Sequence, residues 1–385
     1  MNSSDGQSSF QHRLRTFVRD RLVPAECTVA QTGVTPPEIV QEMRALGLFG
    51  LTIPRAYGGA GYSSQQEIEA VMTLTWASAV FRSIVGVNMT IGSQAIALDG
   101  TEAQKADWLP RIASGEVISC FAMSEPEAGS DAAGMTTRAE RDGAGYRLNG
   151  SKRFITNASH AGLFVTLART APDRQRDNSH LSAFLIPRDT AGVSIGPADQ
   201  MMGQSGVDSA PIRFENAWTP AEALLGQTEG QGFRTAMKVL DRSRIHIAAV
   251  CVGQARRILH EALQHSLNRH QYGKPLARLQ LVQAMLADSQ AELYAAESMT
   301  RAAARDYDEG QAVTRQAACC KMYASEMLGR VADRAVQILG GAGYMRGQTV
   351  ERFYRDARLF RIYEGATQVQ QVVIARDMAA TGAVT

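Results

Sequence analysis

Tyr146-Arg-Leu-Asn-Gly-Ser-Lys-Arg-Phe-Ile-Thr156 decides how the chain is divided. Asn149-Gly150 stands between two apolar runs, which predicts a hairpin, because both residues of such a turn must accept φ > 0. Leu163 to Ala168, Leu181 to Ile186 and Ile212 to Glu215 read as further strands. Gly and Pro punctuate them, as in a small β-barrel or sandwich. A central β domain is therefore expected over residues 117–227.

On both sides the period is helical. Over residues 1–116, Ile39, Met43, Leu46 and Leu48 form an apolar face that ends in Gly47 and Gly50, and residues 57–62 make a loop. Helices follow from Gln65 and near Gly92, and Thr101 caps a short one. Over residues 228–385, Phe233, Met237, Leu240, Ile247, Cys251, Ala255, Ile258 and Ala262 step by three, four or seven. Leu279, Val282, Leu286, Leu293 and Ala296 mark a second helix. Met322, Leu328, Val331, Ala335 and Leu339 mark a third, stopped at Gly340-Gly341. The expected class is α+β: a helical domain, a β domain, then a helical bundle.

The chain has 385 residues, enough for two or three units with a shared core. With 45% apolar and 20% charged residues it is ordinary for a soluble protein. A net charge of +2 offers no sustained basic stripe for nucleic acid. The N-terminus lacks the apolar core of a secretory signal, and Asp5 and Asp20 argue against a transit peptide. The longest apolar run, Ile245 to Val252, contains His246 and is too short to span a bilayer. Five cysteines, with a vicinal Cys319-Cys320 pair, fit a reducing compartment better than a disulfide framework. A cytoplasmic protein is expected.

Common catalytic strings fail on inspection. His260 and His265 are spaced too widely for a helical zinc pair, and Gly340-Gly-Ala-Gly343 follows a helix and does not complete a dinucleotide fingerprint. No serine-hydrolase or Walker string occurs. Five other segments stand out. Phe121-Ala-Met-Ser-Glu-Pro-Glu-Ala-Gly-Ser-Asp131 ends a strand in a turn rich in hydroxyls and backbone donors. Arg153-Phe-Ile-Thr-Asn157 sets an aromatic beside a hydroxyl. Asn268-Arg-His-Gln-Tyr-Gly-Lys274 interrupts two long helices with paired cations. Gln337-Ile-Leu-Gly-Gly-Ala-Gly343 lets backbone approach an anion closely. Arg361-Ile-Tyr-Glu-Gly-Ala-Thr-Gln368 places a carboxylate between an aromatic and a glycine.

In this order these segments resemble the acyl-CoA dehydrogenase family, from about Pro36 to Met378. The resemblance implies a C-terminal four-helix bundle, one FAD per subunit and a homotetramer. It also implies an acyl-CoA substrate and an electron-transfer flavoprotein as partner. By the same resemblance, Phe121, Met123, Ser124, Gly129 and Ser130 form a flavin cradle, with Ser130 also near substrate. Phe154 and Thr156 lie against the flavin ring; many members carry Trp at the position of Phe154. Arg269, Tyr272 and Gln280 reach the FAD of a neighbouring subunit, where a guanidinium holds the pyrophosphate. Gln337, Gly340 and Gly341 match the adenosine-diphosphate site, and Gln368 also fits the cofactor. Asp241 and Arg244 match residues near the pantetheine. Glu364, flanked by Tyr363 and Gly365, matches the catalytic base. Some members carry that glutamate where this chain has Ser243. Ala366-Thr367 departs from the pattern, which often has Thr directly after the glycine.

The plainer readings stand beside these. Glu364 alone would be an exposed carboxylate at a helix start, Arg269 a surface cation and Gly340-Gly341 a helix stop. His246 would be a satisfied polar residue in an apolar helix. Arg82 has two open readings: a salt-bridged or snorkelling side chain, or a receptor for an acidic acyl terminus. Phe81-Arg82-Ser83 looks like the corresponding stretch of glutaryl-CoA dehydrogenases, although Thr75 replaces their glutamate. Same-fold alternatives are an oxidase, a sulfinic acyl-CoA desulfinase or a non-catalytic FAD-binding assembly protein. An acyl carrier protein could replace CoA.

Overall fold

A computed structural model describes residues 3–384. Among the described residues seven α-helices come first: α1 (Ser3–Phe17), α2 (Val23–Thr32), α3 (Pro37–Ala45), α4 (Ser64–Leu74), α5 (Ala79–Met89), α6 (Ile91–Asp99) and α7 (Glu102–Ala113). Two of them begin with closed capping boxes. Ser63 and Thr101 accept the amides of Gln66 and Gln104, whose side chains reach back to the cap amides.

The middle third is one seven-stranded sheet: β1 (Ser119–Ala122), β2 (Arg138–Asp142), β3 (Gly145–Thr156), β4 (Leu163–Arg169), β5 (Leu181–Pro187), β6 (Val193–Ile195) and β7 (Ser209–Pro220). The order is β1-β4-β2-β3-β7-β6, with β5 antiparallel to β4 along its full length.

The expected turn at Asn149-Gly150 does not exist. β3 runs through it, with a register shift against β7 between Leu148 and Gly150. The hairpin closes earlier, where Asp142 pairs with Gly145 across Gly143 at φ 60°. Asn149 Oδ1 accepts the Asn216 amide at 2.8 Å inside the irregularity. Gly150 has φ 150°, and a Cβ there would meet Thr137 Oγ1 at 2.5 Å. Gly following Asn therefore serves a bulge and a close approach, the other use of glycine within a strand. A second register shift, between Lys152 and Ile155, carries Phe154 at φ 61° and leaves its ring 65% exposed.

The last third holds α8 (Gly232–Asn268), α9 (Gln280–Asp308), α10 (Thr314–Leu339), α11 (Thr349–Ala357) and α12 (Thr367–Thr381). Between α8 and α9 lies a small hairpin, β8 (His270–Gln271) and β9 (Lys274–Pro275), turned by Tyr272 and Gly273, both at positive φ. Helices α8, α9 and α10 pack along one another, α12 packs on α10, and α4 lies across α8 and α9.

One core therefore joins the two helical thirds: Leu14, Met43, Val71 and Phe81 meet Ile247, Cys251, Leu328 and Val331. Burying a side chain such as Phe81 contributes about 1.5–3 kcal/mol. Tyr146, Phe164, Phe184 and Phe214 belong to a core within the β unit, and Ile96, Leu109 and Ile112 pack against Leu163, Val165 and Leu185. Among the described residues no helix is long and apolar enough to cross a membrane.

Candidate active site

Glu364 lies in the short connection between α11 and α12. Its φ is 55° and that of Gly365 is 88°, two successive left-handed residues of which only one is glycine. Such a conformation costs a non-glycine residue about 1–2 kcal/mol and persists where surrounding contacts hold it. Those contacts are present. Gln370, fully buried on α12, donates through Nε2 to the carbonyls of Glu364 and Gly365, each at 3.0 Å. Lys321, fully buried on α10, donates to the Gly365 carbonyl at 2.7 Å. A Cβ on Gly365 would come within 2.3 Å of Gln370 Nε2, so a side chain there would break the arrangement.

The carboxylate of Glu364 points inward. Burial raises its pKa above the ordinary carboxylate value, against the pull of Arg82, the Ser243 hydroxyl, Arg244 and Lys321. Its Oε2 is buried without a hydrogen-bond partner, as is Ser243 Oγ. The exposed helix-start reading of Glu364 is thus corrected. Ser243, the alternative position of the base on α8, comes close to the same carboxylate from a different element.

Arg82 on α5 heads a buried polar chain. Its Nε donates to His246 Nε2 at 2.7 Å, and His246 Nδ1 lies 2.7 Å from Glu67 Oε1. Glu67 Oε2 accepts from Arg242 Nε at 2.8 Å. Burial and the neighbouring Arg82 push His246 down to about 4, although Glu67 opposes them. Burial alone would raise Glu67, but Arg242 and His246 bring it below its ordinary value. The imidazole is therefore neutral, donating from Nδ1 to a carboxylate and accepting at Nε2. Arg82 makes no ion pair among the described residues, which corrects the salt-bridge reading; its hydrogen-bond partner is an uncharged ring, and the Glu364 carboxylate is near enough to feel its charge. His246 is satisfied, as the plainer reading had it.

Asp241 and Arg244, on α8 near Ser243, pair at 2.8 Å, and Asp241 also accepts from Thr314 at 2.6 Å. Tyr363 packs on Phe360, its hydroxyl pKa raised by burial and partly offset by Arg82.

Next to α5 the sheet presents a flat apolar ring beside open donors. The Ser124 carbonyl accepts the Arg153 amide at 2.9 Å, which joins the end of β1 to the bulge carrying Phe154. Lys152, fully buried, donates to Met123 O at 3.2 Å and to Glu125 Oε1 at 2.8 Å. Glu125 also takes the amides of Thr136 at 2.6 Å and Thr137 at 3.0 Å. Burial would raise Glu125, but Lys152 and these donors carry it down to about 2. Phe121, Met123, Ser124 and Thr156 are half-buried around this point, and Gly129 and Ser130 are exposed. No neighbouring atom lies within 4 Å of a Cβ placed on Gly129. Asn157 Nδ2 contacts Ser83 O and Ile84 O, both at 3.3 Å, which ties this edge to the Arg82 helix. An exposed aromatic face beside hydroxyls and uncovered backbone suits a planar heteroaromatic ring with an anionic tail.

The remaining expected cofactor residues lie elsewhere on the surface of the single chain. Arg269, Tyr272 and Gln280 are exposed at the α8–α9 hairpin, Tyr272 by 89%. Gln337, Gly340 and Gly341 are exposed at the end of α10, with nothing within 4 Å of a Cβ on either glycine. Gln368 is exposed at the start of α12. The Thr367 hydroxyl is spent on Glu326 of α10 at 2.8 Å. Sequence reasoning missed Glu67, Arg242, Lys152, Glu125, Lys321 and Gln370. A signal existed for Lys321, a charge set into the apolar stripe of Ala317, Ala324 and Leu328.

Comparison with known proteins bears on the whole chain. Residues 4–116 match the acyl-CoA dehydrogenase N-terminal domain, 120–217 the middle domain and 230–379 the C-terminal domain. An acyl-CoA dehydrogenase of Bacillus subtilis (strain 168) is 36% identical over 376 residues, spanning 98% of each chain. The mitochondrial short-chain specific acyl-CoA dehydrogenase of Rattus norvegicus is 37% identical over 94% of this chain and 87% of its own. The butyryl-CoA dehydrogenase structure from Megasphaera elsdenii superposes with a TM-score of 0.93 at 34% identity, over 98% of this chain and 99% of the other. With three domain models in order and relatives matched nearly end to end, the chain belongs to the acyl-CoA dehydrogenase family of oxidoreductases.

Proposed function

We propose that the protein removes two hydrogens from the α and β carbons of an acyl-CoA, with Glu364 as the base that takes the α-proton. The observation that carries this reading is the inward Glu364 carboxylate, raised by burial and lacking a partner at Oε2. A C–H beside a thioester is weakly acidic, so a carboxylate of ordinary strength in water is a poor base for it. Burial strengthens the base, while the fixed turn at Glu364-Gly365 aims it.

FAD is the cofactor, and when bound it supplies the acceptor for the β-hydrogen and its electron pair. Phe121, Met123, Ser124, Gly129, Ser130, Phe154 and Thr156 are the residues that hold its ring end. Arg269, Tyr272 and Gln280, with Gln337, Gly340, Gly341 and Gln368, serve the rest of the cofactor across subunits of a homotetramer. Asp241 and Arg244 serve the pantetheine; Tyr363 and Gly365 border the reacting carbons. The units are bounded at residues 116/117 and 227/228. Electrons then pass to an electron-transfer flavoprotein. If oxygen takes them rapidly with stoichiometric peroxide, the protein is an oxidase instead.

A second reading of the substrate, an acid-terminated acyl-CoA such as glutaryl-CoA or a sulfinic analogue, draws support from one observation: Arg82 is a buried cation with a neutral partner. An anaerobic panel of acyl-CoA thioesters, read by bleaching of the yellow protein, tests both readings. A protein that takes up no FAD, or is bleached by none of the panel, contradicts the dehydrogenase assignment.

A further inference from the structure

Lys321 stands on α10 with no exposure and no ion pair among the described residues. A buried ammonium is costly unless something holds it. Here its Nζ donates to the Gly365 carbonyl at 2.7 Å, one residue from Glu364. The groups facing it are Cys251 and Arg244 from α8, Glu364 from the α11–α12 connection and Glu326 from its own helix. Burial lowers its pKa to about 8, while the neighbouring Glu364 and Glu326 carboxylates work the other way. Glu364 in turn faces Arg82 from α5, Ser243 and Arg244 from α8, and Lys321 from α10.

Glu364 and Gly365 both adopt positive φ, and their carbonyls are met by Lys321 and by Gln370. Neither donor touches the carboxylate by a hydrogen bond. Their effect on the base passes through the backbone and, for Lys321, through its charge.

We propose that Lys321 is a positioning residue for Glu364: it holds the Gly365 carbonyl, fixes the left-handed turn that aims the carboxylate, and favours its ionised form. The proposal rests on Glu364 being the base. Charge and position make separable predictions. Removing a nearby cation raises a carboxylate pKa, so the ascending limb of the pH–rate profile moves to higher pH. Removing only a neutral donor loosens the turn and leaves that limb in place.

The experiment measures anaerobic flavin reduction by butyryl-CoA and by glutaryl-CoA across the pH range in the holoenzyme, together with Kd and thermal midpoint. Lys321→Met should lower the limiting rate roughly tenfold to hundredfold with little change in Kd. It should also shift the ascending limb upward by about one pH unit. Lys321→Arg, which keeps a charged donor, should restore the limb. Gln370→Leu should lower the rate with the limb unmoved. A folded Lys321→Met protein with a wild-type limb and rate overturns the proposal. If neither Lys321 variant folds, Gln370→Leu decides: wild-type rates show that the turn needs no clamp, which also overturns it. Glu364→Gln, run in parallel, separates the two levels. Wild-type reduction in that variant removes the base assignment, whereas a dead Glu364→Gln beside an unaffected Lys321→Met removes only the positioning role.

Discussion

Arg82 is held at Nε by the unprotonated Nε2 of His246, 2.7 Å away, so the hydrogen bond that orients this buried cation does not neutralise it, although the Glu364 carboxylate feels its charge. The tautomer is set from the far side, where Glu67 Oε1 accepts a hydrogen bond from the Nδ1–H. Had Glu67 reached Arg82 directly, the guanidinium charge would already be cancelled.

A guanidinium whose hydrogen-bond partner is a neutral ring rewards an acidic acyl terminus. Each charge-assisted hydrogen bond contributes about 1.5–3 kcal/mol. That corresponds to roughly ten- to hundredfold preference over a neutral chain of equal length. Arg82→Met should erase the preference for glutaryl-CoA over butyryl-CoA in kcat/KM. If both are equally poor in the wild type while a longer or branched neutral chain is fast, Arg82 only packs, and the substrate is a fatty or branched acyl group.

His246 makes stability depend on acid. Its folded value, about 4, lies below the ordinary 6.5. The contribution is therefore complete above that ordinary value and is lost as pH falls through the folded one, because the unfolded chain takes up the proton first. Its full size is on the order of 3 kcal/mol. Urea midpoints measured through this window should fall more steeply for the wild type than for His246→Gln. Parallel curves would place the acid sensitivity in other groups.

Lys152 and Glu125 lock the loop after β1 to β3. Lys152→Met leaves a buried carboxylate unpaired and should cost about 3–5 kcal/mol. It should also lower the FAD content of the purified protein, since the Met123 carbonyl loses its anchor. Adding Glu125→Gln should return part of the stability. Undiminished FAD content in a folded Lys152→Met protein would separate this pair from the cradle.

Much of this was legible in residue order. Ser63 and Thr101, each with Gln three positions on, announce their helices by local chemistry alone. The long stripes of α8, α9 and α10 do so by period. Asn149-Gly150 misled because the same pair serves a turn or a bulge, and the choice rests on β7, some 67 residues later at the Asn149–Asn216 contact. The polar chain was harder still. Arg82–His246 and His246–Glu67 span 164 and 179 residues, and no local pattern encodes such a contact. What sequence offers there is a charge inside an apolar stripe, which marks a buried partner without naming it.

The central claim is that Glu364 takes the α-proton, and one measurement addresses it most directly: anaerobic, single-turnover bleaching of the flavin by acyl-CoA in the Glu364→Gln holoenzyme. The amide keeps the size of the side chain but cannot accept the proton. A positioned base contributes about 10²- to 10⁴-fold. The account predicts that FAD and acyl-CoA still bind while the reduction rate falls by at least that range. Reduction at near wild-type rate would place the base elsewhere and contradict it.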